Sequence, residues 1–96
     1  MRIVVNHLAF KQPIGADVLA AASEGERVLH AAGGLGFHFV LVDETHALIV
    51  LLFPDLATEE RVARDVGGPW MREHMLRLLD GEPQRTSGEV VPARPS

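Results

Sequence analysis

The sequence predicts an α+β fold in which a four-stranded antiparallel sheet carries its helices on one face. Two apolar runs, residues 36–42 and 46–53, are joined by a short connection with two acids, which is typical of a β-hairpin. Residues 47–53 contain no polar side chain, so this strand does not alternate and should be buried on both faces. Strand-like and helix-like segments follow one another in the order βαββαβ, which indicates the ferredoxin-like arrangement.

Length and composition limit the function classes. Ninety-six residues support one small domain, which we assign to residues 1–91, with residues 92–96 expected to form a mobile tail. The net charge is −4 and the nine bases are scattered, so we expect no nucleic-acid partner. The absence of Cys excludes disulfides, thiolate metal sites and a Cys nucleophile. Because no apolar run approaches the ~20 residues of a membrane span, we expect a soluble, cytoplasmic protein without a membrane partner.

The first half of the chain supplies one strand and one helix before the hairpin. The strand covers residues 3–8 and includes the polar pair Asn6 and His7. The helix should begin near residues 16–17 and stop at the glycine pair 33–34, which is a common C-terminal signal. Its apolar face carries Val18, Ala22, Leu29 and Ala32. Gly25 lies on the same face, where it predicts a close approach of the helix to the sheet.

The second half should contain an interrupted helical region and a last strand. Asp55 is the predicted N-cap, and an apolar side follows it, made of Leu56, Val62, Ala63 and Val66. Residues 67–69, Gly-Gly-Pro, predict a break, after which a new helix should run to residue 79. Glu59 is expected in the solvated start of the first helix. The last strand is placed at residues 85–91.

This topology leaves one sheet face without a cover. Both crossovers are right-handed, so both helical regions pack on the same face. On the other face, about five or six large apolar side chains would meet water, at roughly 1.5 to 3 kcal/mol each. The sum is comparable to the roughly 4 to 15 kcal/mol cost of association. We therefore predict a homodimer in which two sheets pack face to face.

Few side chains are candidates for chemistry. Asn6 and His7 alternate, so one of them should face the helices. Trp70 and His74 share a helix face, where an imidazole could act as a general base while the indole stacks on a substrate. His38 lies inside a strand and is the second candidate acid–base group if it faces a cavity. Packing alone could also explain Trp70, His38 and His74, as interface or locally hydrogen-bonded residues. The five histidines show no metal-binding spacing.

Three segments resemble one family over nearly the whole chain. These are AAGGLGF (31–37), LLFPD (51–55) and PWMREH (69–74), which are similar to the antibiotic-biosynthesis-monooxygenase-like group of the dimeric α/β-barrel superfamily. The resemblance implies cofactor-free oxygenation of polyketide-type phenols, haem degradation or other chemistries. For haem-degrading relatives it matches Asn6 to a pocket residue and His74 to the iron ligand. Their haem-distorting Trp lies upstream, where this chain has residues such as Arg64.

Three hypotheses result. The first is a small cofactor-independent oxygenase acting on an aromatic or hydrophobic metabolite through His74, Trp70, Asn6 or His38. The second is a non-catalytic dimeric ligand-binding or interaction module, and the third is a haem-binding or haem-degrading protein. A cavity lined by His74, Trp70 and either Asn6 or His38 would favour the enzyme. A pocket filled by Leu and Met side chains would favour the module.

Overall fold

The computed structural model describes residues 1–93 and contains the predicted four-stranded sheet. Its strands are β1 (Arg2–Ala9), β2 (Gly36–Leu41), β3 (His46–Phe53) and β4 (Gln84–Glu89). The order across the sheet is β2-β3-β1-β4, and all neighbouring pairs are antiparallel. This arrangement confirms the α+β, ferredoxin-like prediction. Residues 94–96 of the predicted tail lie outside the described residues, and residues 92–93 follow β4 without regular structure.

Helix α1 (Ala16–Ala31) ends where the glycine pair predicts. Gly33 has φ +107°, a left-handed conformation that residues with a Cβ avoid. The Gly34 N–H then donates to the Leu29 carbonyl at 3.0 Å, which satisfies one of the last carbonyls of the helix. The buried face of α1 matches the predicted apolar positions and consists of Val18, Ala22, Gly25 and Leu29.

The second helical region is continuous, so the predicted break at residues 67–69 is wrong. Helix α2 (Leu56–Val62) passes into a π-helical turn (Ala63–Gly67) and then into α3 (Gly68–His74). Pro69 has no N–H to donate, and its ring would clash with a carbonyl four residues earlier. The π turn relieves this conflict because it is wider, with the Gly68 N–H donating to the Ala63 carbonyl five residues back. The two glycines adopt ordinary helical angles and do not end the helix.

Both ends of this region differ in detail from the prediction. Asp55 is the N-cap, as predicted, and its side chain accepts from the Thr58 N–H at 2.8 Å. Leu56, which was expected on the apolar side, is exposed. Helix α3 ends at His74 and not at residue 79, because a 3₁₀ turn (Leu76–Leu78) leads Leu79 into an isolated bridge with Phe10.

The helices cover one face of the sheet, and the core lies between these two layers. The strand register places Val4, Asn6 and Leu8 of β1 on this face, opposite Leu51, Ile49 and Ala47 of β3. The largest fully buried side chains are Phe53, Leu8, Ile49, Met75, Val4 and Val62. The core is therefore mainly aliphatic.

The second face of the sheet is also apolar, and we call it the open face. By strand alternation it carries Ile3, Val5, Val40, Leu48, Val50 and Leu52, together with His7 and His38. None of these side chains belongs to the buried core of residues 1–93. The absence of polar residues from 47–53 thus has the predicted consequence: one apolar set of β3 is covered and the other is not.

The left-handed backbone conformation of Gly33, in the turn after α1, can be tested by substitution. Gly33→Ala would force a Cβ into the left-handed region, so we expect the free energy of unfolding to fall by about 1 to 3 kcal/mol. Gly88→Ala is the control, because an added Cβ there meets no atom within 4 Å. Urea unfolding followed by circular dichroism measures both variants. Equal stability of Gly33→Ala and the wild type would contradict the assigned turn.

Candidate functional site

A cavity of about 280 Å³ lies between the sheet and the two helical regions. Its volume is close to the lower end of the roughly 300 to 1,000 Å³ of small-molecule sites. Apolar side chains from β1, β2, β3 and α1 form most of the wall, and the π turn and α3 close it. The polar side chains on the lining are Asn6 and Arg85, and the aromatic ones are Phe37, Phe53 and Trp70. This composition suits an apolar ligand with one polar end.

Asn6 and Arg85 form the polar end of the cavity. The two residues are directly opposite each other in the β1–β4 register and point to the helix-facing side of the sheet. The Asn6 amide makes no side-chain hydrogen bond to another described residue, so its donor and acceptor are available to a ligand. Together, an amide and a guanidinium can hold an oxygen atom that carries negative charge.

Glu59 binds the guanidinium of Arg85 and does not itself line the cavity. The prediction that Glu59 is solvated is wrong. Its side chain is only 3% exposed and lies under the edge of the sheet. One carboxylate oxygen accepts from Arg2 Nε at 2.9 Å and the other accepts from Arg85 Nη2 at 3.1 Å. Burial acts to raise the pKa of this carboxyl, but the hydrogen bonds from Arg2 and Arg85 outweigh burial and lower the pKa below its usual value.

Trp70 forms a wall of the cavity and is 8% exposed. Its ring meets Phe37 edge to face, with centroids 6.2 Å apart. A Cβ on Gly25 would lie 2.8 Å from indole Cε2 and Cζ2. The close approach predicted at Gly25 is therefore made by the indole of α3 and not by the sheet. The indole Nε1 is buried without a hydrogen-bond partner among the described residues.

The two candidate histidines are not on the cavity lining. The His74 ring lies beside the indole, with centroids 6.0 Å apart and planes at 43°, and its side chain is 34% exposed. His38 pairs with Val50 and alternates with Phe37 and Phe39, so it lies exposed on the open face. The cavity therefore brings Asn6 and Trp70 together, places His74 behind the indole, and has no contact with His38.

Arg85 and Glu59 are the site residues that the sequence reasoning missed. The signal for Arg85 was a long basic side chain in a segment, 84–89, that contains only polar residues and a glycine; Arg85 lies opposite Asn6 of β1. To use that signal one must know the register between β1 and β4. The sequence does not reveal that register, because the last strand lacks an apolar pattern. Glu59 lies next to another acid in a helix start, a pattern that normally indicates solvent exposure.

Two further observations concern the described residues as a group. None of the helices within residues 1–93 has the length and apolar character to cross a membrane. In the same part of the chain, no three His, Asp or Glu side chains converge as a metal site would require.

Comparison with known proteins identifies the fold. No family model matches the sequence, and no curated protein is significantly similar to it. A protein of unknown function from Nitrosomonas europaea is similar in structure, with a TM-score of 0.81 and 14% identity over 99% of this chain and 93% of that one. An antibiotic biosynthesis monooxygenase has a TM-score of 0.77 and 15% identity, covering 96% of this chain and all of that chain (100%).

A variant of SnoaB, a cofactor-independent oxygenase from Streptomyces nogalater, has a TM-score of 0.76 and 10% identity, covering 99% of this chain and 97% of that one. The chain therefore has the fold of the antibiotic biosynthesis monooxygenase structures. At these identities the likeness concerns the fold alone.

The packing of the indole against Gly25 can be tested by fluorescence, because Trp70 is the one tryptophan of the chain. In Gly25→Ala the added methyl would overlap the indole, so we expect the ring to move towards solvent. The tryptophan emission maximum should shift to longer wavelength and acrylamide quenching should increase. Gly67→Ala is the control: it adds the same methyl to the cavity lining at 3.7 Å from its nearest neighbour. Identical emission from the Gly25 variant and the wild type would contradict the described packing.

Proposed function

We propose that this protein is a small cofactor-independent oxygenase that acts on an aromatic or otherwise hydrophobic metabolite with an acidic hydroxyl or enol. The observation that carries the proposal is the cavity itself: an apolar space with aromatic walls and one polar end made of Asn6 and Arg85. The lining expected of the enzyme is met by Asn6 and Trp70 but not by His74, which lies behind the indole. The similarity in fold to a cofactor-independent oxygenase supports the same conclusion.

The proposed chemistry needs an ionised substrate and no resident electron carrier. The described lining residues include no histidine or carboxylate, so the acidic hydroxyl or enol would lose its proton to solvent water, which leaves an electron-rich anion that can react with oxygen. In an anthrone-type substrate, a CH₂ group and O₂ become a C=O group and water, so the substrate supplies all the electrons. Asn6 and the 44% exposed Arg85 would hold the anionic oxygen at the polar end of an otherwise apolar site.

Trp70 and His74 have different roles in this proposal. Trp70 forms a flat wall against which an aromatic substrate can pack. His74 contacts the indole from outside the lining, so we assign it a positioning role. His38 is assigned to the open face and takes no part in the site. In this proposal, Asn6 and Arg85 bind the anionic oxygen of the substrate.

We also propose that the protein is a homodimer through the open face. Six large apolar side chains lie there outside the core, and a second copy could bury them under its own open face. Val50 lies at the centre of this surface, between Val5 and His38 in the neighbouring strands. The two sheets would then pack face to face, with the ligand cavities on the outer sides of the dimer.

A non-catalytic ligand-binding module is the second candidate, and one observation favours it. No histidine or carboxylate is among the described residues that line the cavity, so no side chain there is an evident general base. A binding module needs none. Haem fits the site less well, because its proposed iron ligand His74 lies behind the indole and not on the lining.

Oxygen uptake with dihydroxyanthrone tests the enzyme proposal. The wild type should consume oxygen faster than buffer, and Asn6→Ala should lower kcat by about 100-fold because an oxyanion donor is lost. Leu19→Ala, on the exposed side of α1, is the control and should keep full activity. His74→Ala should lose less activity than Asn6→Ala. Uptake no faster than in buffer would contradict the oxygenase and leave the binding module.

Sedimentation velocity tests the dimer. The wild type should sediment at twice the mass of the chain, and Val50→Glu should sediment as a folded monomer. An unpaired carboxylate in the buried interface would cost roughly 3 to 5 kcal/mol. Leu19→Glu introduces the same charge on the helical side and should remain dimeric. A dimeric Val50→Glu variant would show that the open face is not the interface.

A further inference from the structure

Glu59 is a buried carboxylate that joins three elements. It lies on α2, accepts from Arg2 at the start of β1 and accepts from Arg85 near the start of β4. Each carboxylate oxygen serves a different guanidinium, at 2.9 and 3.1 Å. A buried carboxylate is costly unless its partners satisfy it, and here both oxygens are satisfied.

The charges of this cluster do not balance. One carboxylate faces two guanidinium groups, so the Arg2–Glu59–Arg85 cluster carries one excess positive charge. Glu89 approaches Arg2 at 3.9 Å, but it is 57% exposed and makes no described contact with Arg85. Arg85 has one further side-chain contact, a long 3.5 Å hydrogen bond to Ser87 Oγ. Glu89 also pairs with the N-terminal ammonium at 3.3 Å, so three cations share two carboxylates. Because Arg85 shares its described carboxylate partner with Arg2, its positive charge is only partly compensated at the cavity.

Arginine side chains in this position are otherwise free to turn towards solvent. Arg85 lies in the edge strand β4, is 44% exposed, and also borders an open depression between α2 and the edge of the sheet. A long side chain released at such an edge gains rotamer entropy and hydration. The Glu59 carboxylate opposes that movement because it fixes one end of the guanidinium beside the cavity.

We propose that Glu59 is a positioning residue that holds the Arg85 guanidinium at the polar end of the cavity, so that the site selects ligands with an anionic oxygen. This inference rests on the cavity being the ligand site, as proposed above. It adds a preference for the charged form of the ligand and assigns that preference to a residue that does not line the cavity.

Binding of a matched pair of probes tests the inference without requiring turnover. The pair is 4-(trifluoromethyl)benzoate and its amide, which have nearly the same shape and differ in charge. Fluorine NMR titration gives a Kd for each. In the wild type the benzoate should bind about 10-fold more tightly than the amide, as expected for a charged hydrogen bond.

Substitutions then distinguish a loss of Arg85 positioning from a general loss of ligand binding. Glu59→Gln should remove most of the preference while the amide Kd stays nearly constant. Glu89→Gln makes the same charge change beside Arg2, and it should keep the preference. In an Arg85→Gln background, Glu59→Gln should have no further effect, because Glu59 acts through Arg85. Glu59→Asp keeps the charge but withdraws the carboxylate, so it should lower the preference even if Glu59→Gln fails to fold.

Four results would overturn the inference. They are equal binding of benzoate and amide by the wild type, an unchanged preference in Glu59→Asp or Glu59→Gln, equal losses for both probes, and additive effects of the Glu59 and Arg85 substitutions. A protein that shows the predicted preference but no oxygen uptake would contradict only the oxygenase proposal.

Discussion

The structure depends on one constraint: its sheet is apolar on both faces, and the chain has helices for only one. The central strand β3 has no polar side chain between Ala47 and Phe53, and it pairs with β1 and β2 on either side. One set of its side chains joins the core, and the other lies on the open face. The proposed ligand site and the proposed dimer interface therefore lie on opposite faces of the sheet.

A cavity remains between the helical layer and the sheet. The π turn before α3 adds one residue to the helical repeat and so rotates the following side chains by about 100°. In this register Trp70 lies against α1, where the missing side chain of Gly25 makes room for the indole. The ring thus forms a wall and leaves the space beside Asn6 open. Local backbone geometry and a single glycine set the shape of the site.

Much of the fold could be predicted from local patterns. The hairpin, the extent of α1, the Asp55 cap and the uncovered sheet face follow from hydrophobic period, glycine placement and strand alternation. The π turn could not be predicted in this way, because Gly-Gly-Pro normally ends a helix. Its continuation depends on a hydrogen bond between Gly68 and Ala63 that has no sequence signature.

The candidate site was predicted only in part, for a related reason. Asn6 was recognised because a polar pair interrupts an otherwise apolar strand, and Trp70 because it shares a helix face with His74. Arg85 and Glu59 become site residues only through the β1–β4 register and the packing of α2 against the sheet edge. Those contacts join residues that are distant in the chain. Strand register also decides which face of the sheet carries His38. His38 lies on the open face and is therefore separated from the cavity.

The most direct test of this account is a crystal structure of the protein grown with dihydroxyanthrone. The account predicts a two-fold dimer joined through the open faces. It also predicts that the ring system packs on Trp70 and that a ligand oxygen lies within hydrogen-bond distance of Asn6 and Arg85. A ligand bound elsewhere, or copies joined through their helices with the open face left in solvent, would contradict it.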